Sequence, residues 1–202
     1  IADGATLLLE GEPGIGKTRL LEDAAAGRPD VLLTGAQAGD ARVPYALLAR
    51  IVAVLAERDA GAVPDWARAE LARLLPALGA APAARLDALR MQQAWTATLA
   101  AAAEAGVRAL LVDDLHHADE ASLECLLAPA GPRPLARVFG VRAREMPAAL
   151  LGWLEAAAPG AVDRLALTML DEAGVAALLA SLELARFEPR HWSRAMTRHS
   201  GG

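Results

Sequence analysis

Apolar residues follow two rhythms along this chain. Short unbroken runs have the length of buried strands: Thr6-Leu7-Leu8-Leu9-Glu10, Val31-Leu32-Leu33-Thr34-Gly35, Ala109-Leu110-Leu111-Val112 and the stretch 135–142. Between them Leu, Ile and Val recur every third or fourth position. Leu47, Leu48, Ile51, Val52 and Leu55 share one face of a helix over 44–58, and Leu71, Leu74, Leu75 and Leu78 share one face of a helix over 65–78. The same reading predicts helices over 17–26, 84–105, 119–128, 146–157 and 188–199, and one beginning at Asp171 with Val175, Leu178, Leu179 and Leu182 on one side. Residues 37–43 read as a loop, and 163–167 as a fifth short strand. Strands alternating with helices imply an α/β fold, a five-stranded parallel sheet flanked by helices on both faces. In such sheets sites form at the carboxyl ends of the strands, so the residues that leave each strand are where chemistry belongs.

The first strand exits into Gly11-Glu12-Pro13-Gly14-Ile15-Gly16-Lys17-Thr18, with Arg19 following. This is G-x-x-x-x-G-K-T between a strand and a helix, the phosphate-binding P-loop pattern. Backbone N–H groups must approach an anion closely, and Gly11, Gly14 and Gly16 have no side chain in the way, while Pro13 stiffens the turn. The helix that follows points its partial positive end at the phosphates. Lys17 is expected to reach the β- and γ-phosphates, and the Thr18 hydroxyl to hold Mg²⁺. Lys17 is the chain's single lysine, among twenty basic residues otherwise all Arg. A compact ammonium and a planar guanidinium are not interchangeable at such a site.

The strand at 109–112 ends in Asp113-Asp114, the Walker B pattern of an apolar run closed by acids. Adjacent carboxylates at a strand end point in different directions and so take different roles. Asp113 is expected to hold Mg²⁺ and Asp114 to orient the attacking water. Next come Leu115-His116-His117-Ala118-Asp119, in which Asp119 reads as a helix N-cap. The two histidines are expected to diverge and, lacking a third ligand nearby, to be structural or hydrogen-bonding rather than metal-binding. The strand at 135–142 ends in Arg142, a candidate sensor of the γ-phosphate, with Arg144 a second choice.

Composition narrows the picture further. The 202 residues are 54% hydrophobic, only 3% aromatic, and carry a net charge of −5, with acids and Arg interspersed and no basic stripe that would suit nucleic acid. The single cysteine, Cys125, excludes an internal disulfide, which fits a reducing cytoplasm, and reads as a small core residue. No uninterrupted apolar run reaches membrane-spanning length, and no signal peptide is visible. The chain begins at Ile1, just before a strand, and stops at Ser200-Gly201-Gly202, so a piece of a larger protein is expected.

Taken together, Gly11 to Thr18, Leu111-Val112-Asp113-Asp114-Leu115-His116-His117-Ala118-Asp119 and Val141-Arg142 resemble the AAA-related STAND ATPases. These are the nucleotide-binding modules of large LuxR-type transcriptional regulators and of some multidomain cyclases and kinases. The resemblance spans nearly the whole chain. The group usually reads D-D-L-H-W-A-D after the Walker B strand, and His117 stands here in place of Trp. The resemblance implies a nucleotide-binding domain over 1–168 and the beginning of a helical lid over 169–202. Ser200-Gly201-Gly202 resembles the start of a G-G-N-P lid motif. It further implies ATP and Mg²⁺ as cofactors, slow hydrolysis that resets a switch, nucleotide-dependent self-association, and DNA contacts only through domains outside this chain. A nucleotide-dependent oligomerisation module without turnover, and a small-molecule or nucleoside kinase, are the alternatives.

Overall fold

The computed structural model describes residues 4–58, 63–128 and 135–181. Five strands form one sheet: β1 (Thr6–Glu10), β2 (Val31–Gly35), β3 (Ala109–Asp113), β4 (Ala136–Val141) and β5 (Val162–Ala166). All pairings are parallel, in the order β2-β3-β4-β1-β5. The expected strands at 6–10 and 31–35 are reproduced, and the others differ by one residue, at one end for β3 and at both ends for β4 and β5. The order has one consequence for the site: β4, not β3, is the neighbour of β1, so the strand that ends in Asp113 lies one strand away from the one that feeds the P-loop.

The helices are α1 (Lys17–Ala25), α2 (Ala46–Arg58), α3 (Asp65–Leu71), α4 (Ala88–Glu104), α5 (Glu120–Leu127), α6 (Ala148–Ala156) and α7 (Glu172–Ser181). The helix expected over 65–78 is shorter. Pro76 lacks an N–H and its ring excludes the carbonyl four residues before it. The chain therefore tightens after Leu71, whose carbonyl accepts from both Leu74 and Leu75, and only a 3-10 turn, Pro76–Leu78, follows. Helix α4 starts at Ala88 rather than 84 because Asp87 caps it, its carboxylate accepting from the Arg90 N–H at 3.1 Å. A short 3-10 turn, Asp40–Arg42, interrupts the expected loop at 37–43. The expected helix at 188–199 lies outside the described residues.

The two faces of the sheet are packed differently. On one side Leu8, Leu110, Val112, Phe139 and Val141 meet α2, α4, α5 and α6 in the main core, around Trp95 and Met91. On the other, Leu7, Leu9, Leu111 and Val138 face Leu20 and Leu21 of α1 across a cleft of about 460 Å³. The alternation of side chains along each strand sorts neighbours such as Leu8 and Leu9 to opposite faces. None of the cleft's lining residues belongs to the loop Gly11 to Thr18, so this cavity is not the phosphate site.

One carboxylate ties the main core to the site. Asp119 is 2% exposed, caps α5 through the Ser122 N–H at 2.8 Å, and also accepts from Tyr45 N–H at 2.6 Å and Leu47 N–H at 3.3 Å at the start of α2. Tyr45 adopts φ 64°, which turns its N–H inward. Ser122 Oγ takes the Leu48 N–H at 2.9 Å. Three donors at the head of α2 are thus met by side chains 72 to 74 residues away.

The chain divides into two compact units, Ile1–Ala166 and Leu167–Gly202. In the second, α7 is opened by Asp171, whose carboxylate accepts from Gly174 N–H at 2.7 Å. No described helix is long and apolar enough to cross a membrane.

Two expectations follow. Asp119→Ala should lower the unfolding free energy by about 2–4 kcal/mol in urea titration, since three donors of two helices lose a charged acceptor, and Asp119→Asn should fall between it and the parent. Burial pushes the Cys125 thiol up to about 12, so at pH 7 a disulfide-exchange reagent should leave the native chain unlabelled and react once it is unfolded.

Candidate functional site

The P-loop joins β1 to α1. Gly14 and Gly16 sit at φ 77° and 104°, where a side chain would be strained although nothing crowds the space around either. Helix α1 has no side-chain cap and no acid in its first turn. Its leading N–H groups, from Lys17, Thr18 and Arg19, find no acceptor among the described residues. An uncapped helix start with converging amides is what an anion needs. Lys17 is 5% exposed, and its ammonium lies back across the loop, donating to the carbonyls of Gly11 at 2.7 Å and Glu12 at 3.1 Å. Two of its three donors are thereby used to hold the loop's shape. Ile15 N–H closes onto the Glu12 carbonyl at 3.3 Å, and Gly11 N–H onto Val141 of β4 at 3.3 Å. Pro13 lies exposed at the turn. The Arg19 guanidinium is occupied by Asp23 at 2.9 Å on the outer face of α1, so Arg19 presents its backbone N–H to the loop, not its charge.

Thr18 and Asp113 meet. The hydroxyl donates to Asp113 Oδ2 at 2.5 Å, although the residues are 95 apart in sequence and their elements are separated by β4. The carboxylate crosses that gap at Gly140. A Cβ built on Gly140 would collide with Asp113 Oδ1 and press on Leu21 Cδ1 at 3.3 Å. Gly140 is therefore part of the site, as the opening through which Asp113 reaches α1. A glycine inside a strand is a known sign of close approach, and that signal was present in Val138-Phe139-Gly140-Val141. Asp113 itself is 8% exposed, and its other oxygen accepts from the Asp114 N–H at 2.8 Å.

Asp114 turns the chain away from β3 with φ 49°, a left-handed conformation that Asp tolerates better than most residues. Its side chain is 40% exposed and points to the same edge. His116 and His117 follow in a 3-10 turn. Contrary to the expected divergence, their rings lie together, centroids 4.1 Å apart and planes tilted by 45°: a 3-10 turn sets consecutive side chains about 120° apart, and the ring contact is made by the side chains themselves. Arg142 leaves β4 beside the P-loop, one residue after Val141, and its guanidinium donates to both oxygens of Glu145 at 3.1 and 3.3 Å. That contact holds the Glu145 carboxyl below its usual range. Arg144 lies 3.6 Å from Glu12 of the P-loop, a solvent-exposed pairing of little energetic weight. Glu145 was not singled out from sequence, because nothing in a surface glutamate marks the arginine it will hold.

On the far side of Asp113, the end of β2 is pinned. Ala36 N–H donates to the Asp113 carbonyl at 3.0 Å. Arg50 of α2 donates to the Gly35 carbonyl at 2.9 Å and to Asp40 at 2.8 and 3.1 Å. Arg50 holds the Asp40 carboxyl below its usual range.

The oxygens present fit a magnesium ion. Octahedral Mg²⁺ places adjacent ligand oxygens about 2.9 Å apart. Thr18 Oγ1 and Asp113 Oδ2 stand at 2.5 Å, so a widening of a few tenths of an ångström would admit it. Among the described residues no cluster of three His, Cys, Asp or Glu could cage a metal. That suits an ion held by one or two protein oxygens with phosphates and water completing its shell. Gly140→Ala should displace Asp113 and weaken Mg²⁺-dependent nucleotide binding about tenfold, while binding measured with EDTA present stays unchanged. Calorimetric titration under both conditions reads the difference.

Comparison with known proteins places this geometry. No curated protein matches the chain. The family model described as the AAA ATPase domain matches residues 1–154, an interval that contains the P-loop, Asp113, Asp114, Gly140 and Arg142. With most of its length covered by that model and a parallel sheet carrying a P-loop at its carboxyl edge, the chain belongs to the AAA ATPase domain family.

Proposed function

We propose that this P-loop ATPase domain works as an ATP-driven switch, binding ATP with Mg²⁺, hydrolysing it slowly, and serving a larger signalling or transcriptional regulator of the STAND, LuxR-type kind. The observation that carries the nucleotide reading is the Thr18–Asp113 hydrogen bond next to buried Lys17. It brings the hydroxyl, the carboxylate and the ammonium that a magnesium triphosphate needs to one strand-end crevice. The regulator context rests on the resemblance of the Asp113 to Asp119 segment, and the same resemblance makes 169–202 the beginning of a lid.

In this reading the amides of Gly14 to Arg19 and the Lys17 ammonium bind the β- and γ-phosphates, Lys17 exchanging a loop carbonyl for phosphate oxygen. Thr18 and Asp113 hold the metal. Mg²⁺, held there by Thr18 and Asp113, would supply neutralisation of the phosphate charge. Asp114, half exposed and aimed by its left-handed backbone, orients the water for in-line attack. Arg142 senses the γ-phosphate by leaving Glu145, the partner its guanidinium holds among the described residues.

The division of labour is testable on the purified chain. Lys17→Ala should raise the dissociation constant for ATP by about tenfold or more. Asp114→Asn should leave ATP binding within about twofold of the parent but lower the hydrolysis rate about a hundredfold. Undiminished phosphate release from Asp114→Asn would remove Asp114 from the chemistry. ATP-dependent growth in mass by light scattering, with no phosphate released by the parent, would favour an assembly module over a turnover switch.

A further inference from the structure

The His116 side chain is 0% exposed, although the residue as a whole is partly exposed, and neither Nδ1 nor Nε2 has a hydrogen-bond partner among the described residues. A buried polar group left in that condition calls for an explanation. Its surroundings supply one. Nε2 stands 3.8 Å from Asp114 Oδ1 and 3.8 Å from Glu145 Oε2, just outside hydrogen-bonding distance of two carboxylates. A movement of under about 1 Å by either carboxylate would close the contact.

The groups facing the ring decide its form. Burial, the adjacent His117 ring, tilted by 45°, and the nearby Arg142 disfavour the imidazolium, while Asp114 and Glu145 favour it, and the balance lowers the pKa. A neutral imidazole carries one N–H, so Nε2 can serve one of the two acceptors. Glu145 is already taken by Arg142, through both of its oxygens. Asp114 shows no such side-chain partner among the described residues. The competition therefore resolves toward Asp114.

We infer that His116 is a positioning residue for Asp114: its Nε2–H donates to Asp114 Oδ1 and fixes which way that carboxylate presents itself to the attacking water. The inference rests on the role given above to Asp114. It assigns work to one member of the histidine pair, which the sequence reading left as structural or hydrogen-bonding. As the structure stands, the Arg142–Glu145 pair keeps the rival acceptor occupied.

The first test uses the unmutated chain. Long-range ¹H–¹⁵N spectra of the histidine rings should show His116 as the Nε2–H tautomer. Asp114→Asn should move that proton resonance further than Glu145→Gln does. An Nδ1–H tautomer, or a resonance that follows Glu145→Gln and ignores Asp114→Asn, overturns the inference whether or not the chain hydrolyses ATP. The second test is kinetic. His116→Ala and His116→Phe should lower single-turnover hydrolysis about tenfold or more with ATP affinity and Tm close to the parent. His116→Gln, whose amide N–H can occupy the place of Nε2–H, should recover most of the rate. Failure of Gln to do better than Ala or Phe, or parental rates in all three, counts against the positioning role. Should Asp114→Asn itself turn over like the parent, the catalytic reading of Asp114 fails separately, and the tautomer and resonance shifts still decide whether His116 is bound to Asp114.

Discussion

Because β4 runs between β1 and β3, a carboxylate at the end of β3 can touch the helix after β1 only by passing over a strand. The whole arrangement of the phosphate edge depends on that crossing. It requires a residue without a side chain on β4, an acid of short reach on β3, and a hydroxyl on the first turn of α1. Gly140, Asp113 and Thr18 meet these three conditions. Aspartate suits the geometry for a further reason: its second oxygen is steadied by the N–H of the next residue, which fixes the carboxylate plane before any metal arrives. The left-handed turn at Asp114 then separates the two acids, so that one faces inward under the loop and the other faces the open edge.

How much of this was legible in the sequence follows from the range over which each interaction acts. The P-loop was readable because its requirements are met by eight consecutive residues and their flanks. The strands were readable because buried parallel strands are short apolar runs, whatever their neighbours. The order of those strands has no local signature, and with it went the role of Gly140. Helix α3 was overextended because the leucine spacing continued past Leu71, although Pro76 marked the break. Asp119 was legible as the cap of α5, where its partner is Ser122, three residues on. Its hold on Tyr45 and Leu47 was not, because a donor more than seventy residues distant leaves no trace in spacing. The proximity of the two histidine rings was not legible either, because it depends on side-chain rotamers, which spacing along the chain does not reveal.

The two faces of the sheet differ in how firmly they are held. The face toward α2, α4, α5 and α6 contains the large, fully enclosed side chains, Trp95, Phe139 and Met91 among them. The face toward α1 is aliphatic and opens onto a cleft, with Leu20 of α1 and Leu165 of β5 each more than two-fifths exposed. The helix that bears Lys17 and Thr18 thus meets the sheet through Leu21 and through Asp113, which reaches it from the end of β3, while Leu110 and Val112 of that strand pack into the other face.

The segment from Asp113 to Asp119 is fastened at both ends, to the head of α1 through Thr18 and to the heads of α2 and α5 through a single buried carboxylate. Between the fastenings lie only five residues, most of them in one tight turn. So short a span cannot absorb a displacement by bending. Whatever shifts the acid under the loop must drag the starts of two core helices with it, which makes this strip of backbone a crank between the nucleotide edge and the opposite layer of the molecule.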